Sequence, residues 1–105
     1  MTRSAVELAP EALAEAQAAE RWYAERSTRA AARFVDELER ALDLLTDSPH
    51  VGQRWTHHSV DQRMRRIPLR RYPFVLIYVI GEPTRVLAVA HTSREPGYWA
   101  SRLDE

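Results

Sequence analysis

The clearest periodicity in the chain is helical and lies in its first half. Apolar side chains fall at Ala31, Phe34, Val35, Leu38, Ala41, Leu42 and Leu45. That is the i, i+3, i+4, i+7 spacing of a helix with one buried face. Ser27 stands in front of it as an N-cap, and Thr46-Asp47-Ser48-Pro49 ends it. Residues 10–25 are rich in alanine and glutamate and open with Pro10 and Glu11, which suit a first helical turn. Leu13, Ala16, Ala19 or Glu20, and Tyr23 mark the inner face of this segment. Its alanines are small, so a second helix can come close. One or two residues separate the two segments, which predicts an antiparallel helix hairpin.

From residue 62 the period changes. Residues 62–69 (QRMRRIPL) read as a moderate strand that Pro68 keeps short or at an edge. Residues 72–80 (YPFVLIYVI) are almost continuously apolar, as a central strand is. Gly81-Glu82-Pro83 turns the chain, and residues 84–92 (TRVLAVAHT) complete a hairpin. Simple alternation puts His91 on one face with Leu87 and Val89. Residues 4–8 (SAVEL) are a short strand. Residues 48–61 are a loop from which Trp55 tucks back against the sheet or hairpin. Residues 93–105, with Pro96, Tyr98, Trp99 and Leu103, form a short terminal helix or extended tail. The expectation is one α+β domain spanning residues 1–105. A short N-terminal strand and an antiparallel helix hairpin pack on a small antiparallel sheet, in the order β-α-α-β-β-β, with about four strands.

Composition narrows the function classes. A chain of 105 residues supports one core. It has no cysteine, which removes disulfides and thiolate metal sites. No apolar run approaches a membrane span, and no secretory leader pattern opens the chain, so the cytoplasm is the expected compartment. The formal charge is zero, yet it is split: residues 1–48 hold ten acids and six arginines, and residues 49–105 hold nine arginines and five acids. There is no lysine. Arg63, Arg65, Arg66, Arg70 and Arg71 fall within nine residues with no acid among them.

Guanidinium groups suit carboxylates and phosphates. The cluster therefore reads as an electropositive strip for phosphate or for an acidic partner, against the plainer reading of a solvated edge strand. Arg63 and Arg65 are expected on one strand face and Arg66 on the other. Arg70 and Arg71, at the mouth of the most apolar strand, favour the acidic partner. Trp22 and Tyr23 divide in the same way: Tyr23 is assigned to the core, and Trp22 to a half-buried surface where an amphipathic partner helix would dock. His91 with Arg94 would serve acid–base chemistry on a ribose 2′-hydroxyl, or His91 would simply end a strand and bond a neighbouring loop, which is the reading favoured. His50, His57, His58 and Asp61 lack the spacing of a metal site, so no metal and no cofactor are expected.

The ordered set of these features carries a resemblance. Arg71-Tyr72-Pro73, the strand ending in Ile77-Tyr78, then Val86-Leu87-Ala88-Val89-Ala90-His91, Arg94-Glu95-Pro96 and Trp99 resemble the RelE/ParE family of toxins from type II toxin–antitoxin systems. They are closer to ParE-like members. Pro10-Glu11-Ala12 and Pro49-His50-Val51-Gly52 agree in the first half. The resemblance implies a bacterial toxin of a plasmid-stabilisation module, held inactive in a hetero-oligomer with a cognate antitoxin. A ParE-like toxin implies inhibition of DNA gyrase by protein contact. A RelE-like toxin implies ribosome-dependent cleavage of messenger RNA, with Arg65, Arg66, His91, Arg94 and Tyr98 as the nuclease set. A third outcome is a degenerate toxin that only binds its antitoxin. The RelE arginine at the start of the central strand falls at Val75, which cannot hold a phosphate, and arginine is a poor substitute for lysine in proton transfer. The balance favours gyrase. On this resemblance Arg63, Arg65, Arg66, Arg70, Arg71, Trp22, Arg94, Tyr98 and Trp99 contact antitoxin or target.

Overall fold

A computed structural model describes residues 5–54 and 63–104. Strand β1 (Val6–Leu8) leads into helix α1 (Pro10–Ala24), then helix α2 (Thr28–Asp47). After a 3-10 turn at Pro49–Val51 come β2 (Gln53–Arg54), β3 (Met64–Pro68), β4 (Phe74–Val79) and β5 (Thr84–His91), and a second 3-10 turn at Ala100–Asp104. The α+β class and the helix hairpin are as read from the sequence. The sheet is larger and mixed: five strands in the order β1-β5-β4-β3-β2, with β1 parallel to β5 and the other pairs antiparallel. The added strand β2 lies inside the segment read as loop, where two residues pair with Arg65 and Arg66.

Local chemistry explains the helices. Ser27 is extended, and its Oγ accepts the Ala30 N–H at 3.1 Å, closing the start of α2. Ala31, Phe34, Ala41 and Leu45 are buried along α2, at the spacing the sequence predicts. The α1 face differs. Ala12, Ala16 and Ala19 are buried, while Leu13 is 49% exposed. Small side chains line the inner face because the helix lies close to the sheet, and the large apolar residue turns outward.

The sheet has two covered faces. On one, Leu76, Tyr78, Val86 and Val89 pack under the helices with Phe34 and Leu45. On the other, Met64, Val75, Ile77, Leu87 and Ala90 pack under the C-terminal segment, whose Trp99 is 3% exposed. A two-sided burial is why the central strand reads as a continuous apolar run. Between them β4 and β5 carry a bulge: Tyr78 pairs with Val86 and Ile77 with Ala88, so Leu87 is the extra residue. The bulge overturns the expected alternation. Leu87 joins the tail-side core, whereas Val89 and His91 face the helices.

Candidate docking groove and the residues around it

Strand β1 is too short to cover β5. It pairs as far as Val86, where the Ala9 N–H donates to the Val86 carbonyl at 2.8 Å, and the chain then leaves to start α1. The next edge groups of β5 are met by side chains instead. The Glu15 carboxylate accepts the Val89 N–H at 3.0 Å, and the Arg102 guanidinium donates to the Leu87 carbonyl at 3.0 Å. The same two side chains pair with each other, Nη1 to Oε1 at 2.9 Å and Nη2 to Oε2 at 3.2 Å. The Tyr98 hydroxyl donates to Glu15 Oε2 at 2.6 Å. One carboxylate thus ties α1, the β5 edge and the C-terminal segment together. Burial and the hydrogen bond to Glu15 push the Tyr98 phenol up to about 12.

These ties hold open a groove of about 410 Å³ between α1 and the C-terminal segment. Ala18, Ala19, Trp22 and Tyr23 form its helix wall, Pro73, Phe74 and Val89 its apolar floor, and His91, Arg94 and Tyr98 the opposite wall. Alanines on α1 leave the space, and Trp22, 52% exposed, stands over it with the Arg26 guanidinium 3.6 Å from its ring centroid. Tyr23 packs against Phe34 and Tyr72, so the two adjacent aromatics divide as the sequence predicts. His91 packs edge-on against Phe74, and its Nδ1 accepts the Ser93 N–H at 3.0 Å, which places the ring proton on Nε2. Arg94 lies flat over Tyr98, 3.9 Å from the ring centroid.

The arginine cluster does not form one strip. Arg65 points to the helix side beside Tyr78 and is spent on structure: its Nη1 donates to the carbonyls of Gly52 at 2.9 Å and His50 at 3.2 Å. Tyr78 closes the same loop, accepting the Gly52 N–H at 2.9 Å and donating to the Pro49 carbonyl at 2.7 Å. Arg66 is on the tail side, where it lines a cavity of about 140 Å³ with His91, Arg94 and Tyr98. Arg63 lies just before β3 and lines a different hollow near Glu82, Arg85 and Leu103. Arg70 and Arg71 sit on the β3–β4 turn beside α2. Four of the five residues considered for a nuclease therefore meet, and Arg65 lies across the sheet from them. Trp55, His57, His58 and Asp61 lie outside the described residues. Sequence reasoning missed Glu15 and Arg102. Their signal is weak, since a glutamate in an alanine-rich helix reads as solvent-facing.

The helix hairpin on a mixed sheet, with a groove walled by α1 and a C-terminal strap, defines a small α+β protein with an open apolar groove beside its first helix. The profile of the ParE toxin of type II toxin–antitoxin systems matches residues 6–96, and the chain belongs to that family. A solved chain of the chromosomal ParDE toxin–antitoxin system of P. aeruginosa has the same fold, with a TM-score of 0.70 and 16% identity over 85% of this chain and 96% of that one. No curated protein sequence matches the chain significantly. Among the described residues, no helix is long and apolar enough to cross a membrane.

Proposed function

We propose that this ParE-family toxin inhibits DNA gyrase through protein contacts and is neutralised when an amphipathic helix of its antitoxin fills the groove beside α1. The observation that carries the reading is the groove itself: an apolar floor, a row of alanines and a Trp22 that stays 52% exposed at its rim. Protein contact in place of catalysis is supported by the state of the polar groups. Arg65 is engaged with two carbonyls, and the Tyr98 phenol is held protonated against Glu15. Both proposed partners place the protein in the cytoplasm.

Supercoiling of relaxed plasmid by gyrase tests the reading. Purified toxin is expected to block it and added antitoxin to relieve the block. Trp22→Asp is expected to keep gyrase inhibition while escaping the antitoxin. No inhibition at toxin excess would refute the gyrase target. The cavity where Arg66, His91, Arg94 and Tyr98 meet favours a second reading, ribosome-dependent RNA cleavage. Cleavage of messenger RNA on translating ribosomes, lost in Arg66→Gln and His91→Ala, would establish it.

A further inference from the structure

A second concavity, about 620 Å³, opens between α2 and the β3–β4 turn. Arg33, Asp36 and Arg40 border it from the helix, and Arg70, Arg71 and Tyr72 from the turn. Glu37 lies at its base, where its carboxylate accepts Nε and Nη2 of Arg40 at 2.7 and 2.8 Å and the backbone N–H of Arg70. Arg40 is thereby neutralised. Asp36 is left to oppose Arg33, Arg70 and Arg71, with Arg70 also in the field of the Glu37 carboxylate, and none of these three guanidiniums has a hydrogen bond or ion pair among the described residues.

The turn that carries two of them is fixed and strained. The Arg70 N–H is held by Glu37, and the Tyr72 hydroxyl donates to the Ala30 carbonyl at 2.9 Å. Between these anchors Arg71 has φ = 69°, a region where a Cβ is costly and glycine is the cheap choice. An arginine at so strained a position is a reason to look for what its charge meets. The hollow also adjoins the groove: Tyr72 lines one, Pro73 the other, and Tyr23 packs edge-on against Tyr72 at 5.0 Å.

We propose that this hollow binds the side-chain carboxylates of an acidic peptide, namely the stretch of the antitoxin that continues from the groove; it rests on the antitoxin reading above. A peptide fits better than a nucleic acid. Asp36 borders the hollow and would repel a continuous phosphate backbone, whereas separate carboxylates can each take one guanidinium away from it as a two-pronged pair.

The test uses the full-length toxin and two labelled probes, a short peptide of alternating glutamate and serine and a short DNA duplex. Arg33→Gln, Arg70→Gln and Arg71→Gly are each expected to weaken peptide binding ~3-fold, and the three together ~10-fold or more. Arg21→Gln, an exposed arginine on α1, is expected to change it little. Arg71→Gly is also expected to raise the melting temperature by ~3 °C by relieving the backbone, so its loss of binding cannot be misfolding. Equal effects from the hollow variants and Arg21→Gln overturn the proposal. So does tighter binding of the duplex through the same arginines. The groove reading is scored separately: release of antitoxin by Trp22→Asp with no effect in the hollow variants removes the hollow alone.

Discussion

Replacing Glu15 is the sharpest perturbation available, because one carboxylate serves three elements. In Glu15→Gln the side chain keeps its size and one acceptor for the Val89 N–H, but Arg102 loses its counter-charge. The Glu15 and Arg102 side chains are only 18% and 14% exposed. A solvent-exposed pair contributes roughly 0–1 kcal/mol, and breaking a fully buried one costs about 3–5 kcal/mol. This pair lies between, so the expected loss is ~2–3 kcal/mol. Glu15→Ala also strands the Val89 N–H and the Tyr98 hydroxyl, raising the loss to ~3–4 kcal/mol. For a domain of this size that lowers the melting temperature by ~10–20 °C. Urea unfolding followed by circular dichroism measures it, together with Glu15→Leu, Arg102→Met and the Glu15→Leu/Arg102→Met double variant. The double variant is expected to recover part of the loss, giving a coupling of ~1–2 kcal/mol. A loss under ~0.5 kcal/mol in Glu15→Gln, or additive single effects, would refute the view that this cluster holds the C-terminal segment in place.

Three further outcomes are expected. In Gly52→Ala a new Cβ would collide with the Tyr78 hydroxyl and the Arg66 carbonyl, so stability should fall by ~2–3 kcal/mol in the same unfolding assay. The folded phenol of Tyr98 titrates at about 12 against an ordinary 10, because burial and Glu15 favour its neutral form; its contribution to stability is complete below pH 10 and is lost between pH 10 and about 12, a loss of ~2–3 kcal/mol that Tyr98→Phe should abolish. The Glu37 carboxyl is held below its ordinary 4.5 by the hydrogen bonds from Arg40, against an opposing effect of burial; its contribution is complete above pH ~5 and is lost as the pH falls through its lowered value, so Glu37→Gln should flatten the acid limb of the stability–pH curve.

What was legible in the sequence follows from how local each cause is. Helix α2 was readable residue by residue, since its cap and its buried face depend on spacing within one segment. The β4–β5 hairpin was readable for the same reason. The face of His91 relative to Leu87 was not, because a single extra residue inverts the parity, and no turn residue marks the bulge. Leu13 departs from the expected inner face of α1 because the close approach of helix and sheet selects alanine there and turns the large apolar side chain outward. Arg65 looked like part of a charged strip. Its partners are backbone carbonyls 13 and 15 residues earlier in the chain, which no side-chain pattern records. The groove was anticipated at Trp22 and Tyr23, but its opposite wall depends on a pairing between residues 15 and 102 that is purely tertiary.

The C-terminal segment both walls the groove and fills a core, and any test of the proposed gyrase contact must separate the two. Neighbouring residues differ in burial: Tyr98 reaches the groove wall while still packing at the edge of the lower core, and Trp99 fills that core beneath the sheet with Met64, Val75 and Ile77. Deleting the segment would therefore expose a core face as well as remove a surface, and Trp99→Ala alone is expected to cost ~3–5 kcal/mol. Lost gyrase inhibition in such variants would measure unfolding. Arg94 is the clean probe. It is exposed, stacked on Tyr98, and contributes nothing to the core. Arg94→Gln should leave the urea midpoint within ~0.5 kcal/mol of the parent while weakening gyrase inhibition several-fold, if the tail surface meets the target. Full inhibition by a folded Arg94→Gln protein would move the gyrase contact to another face of the molecule.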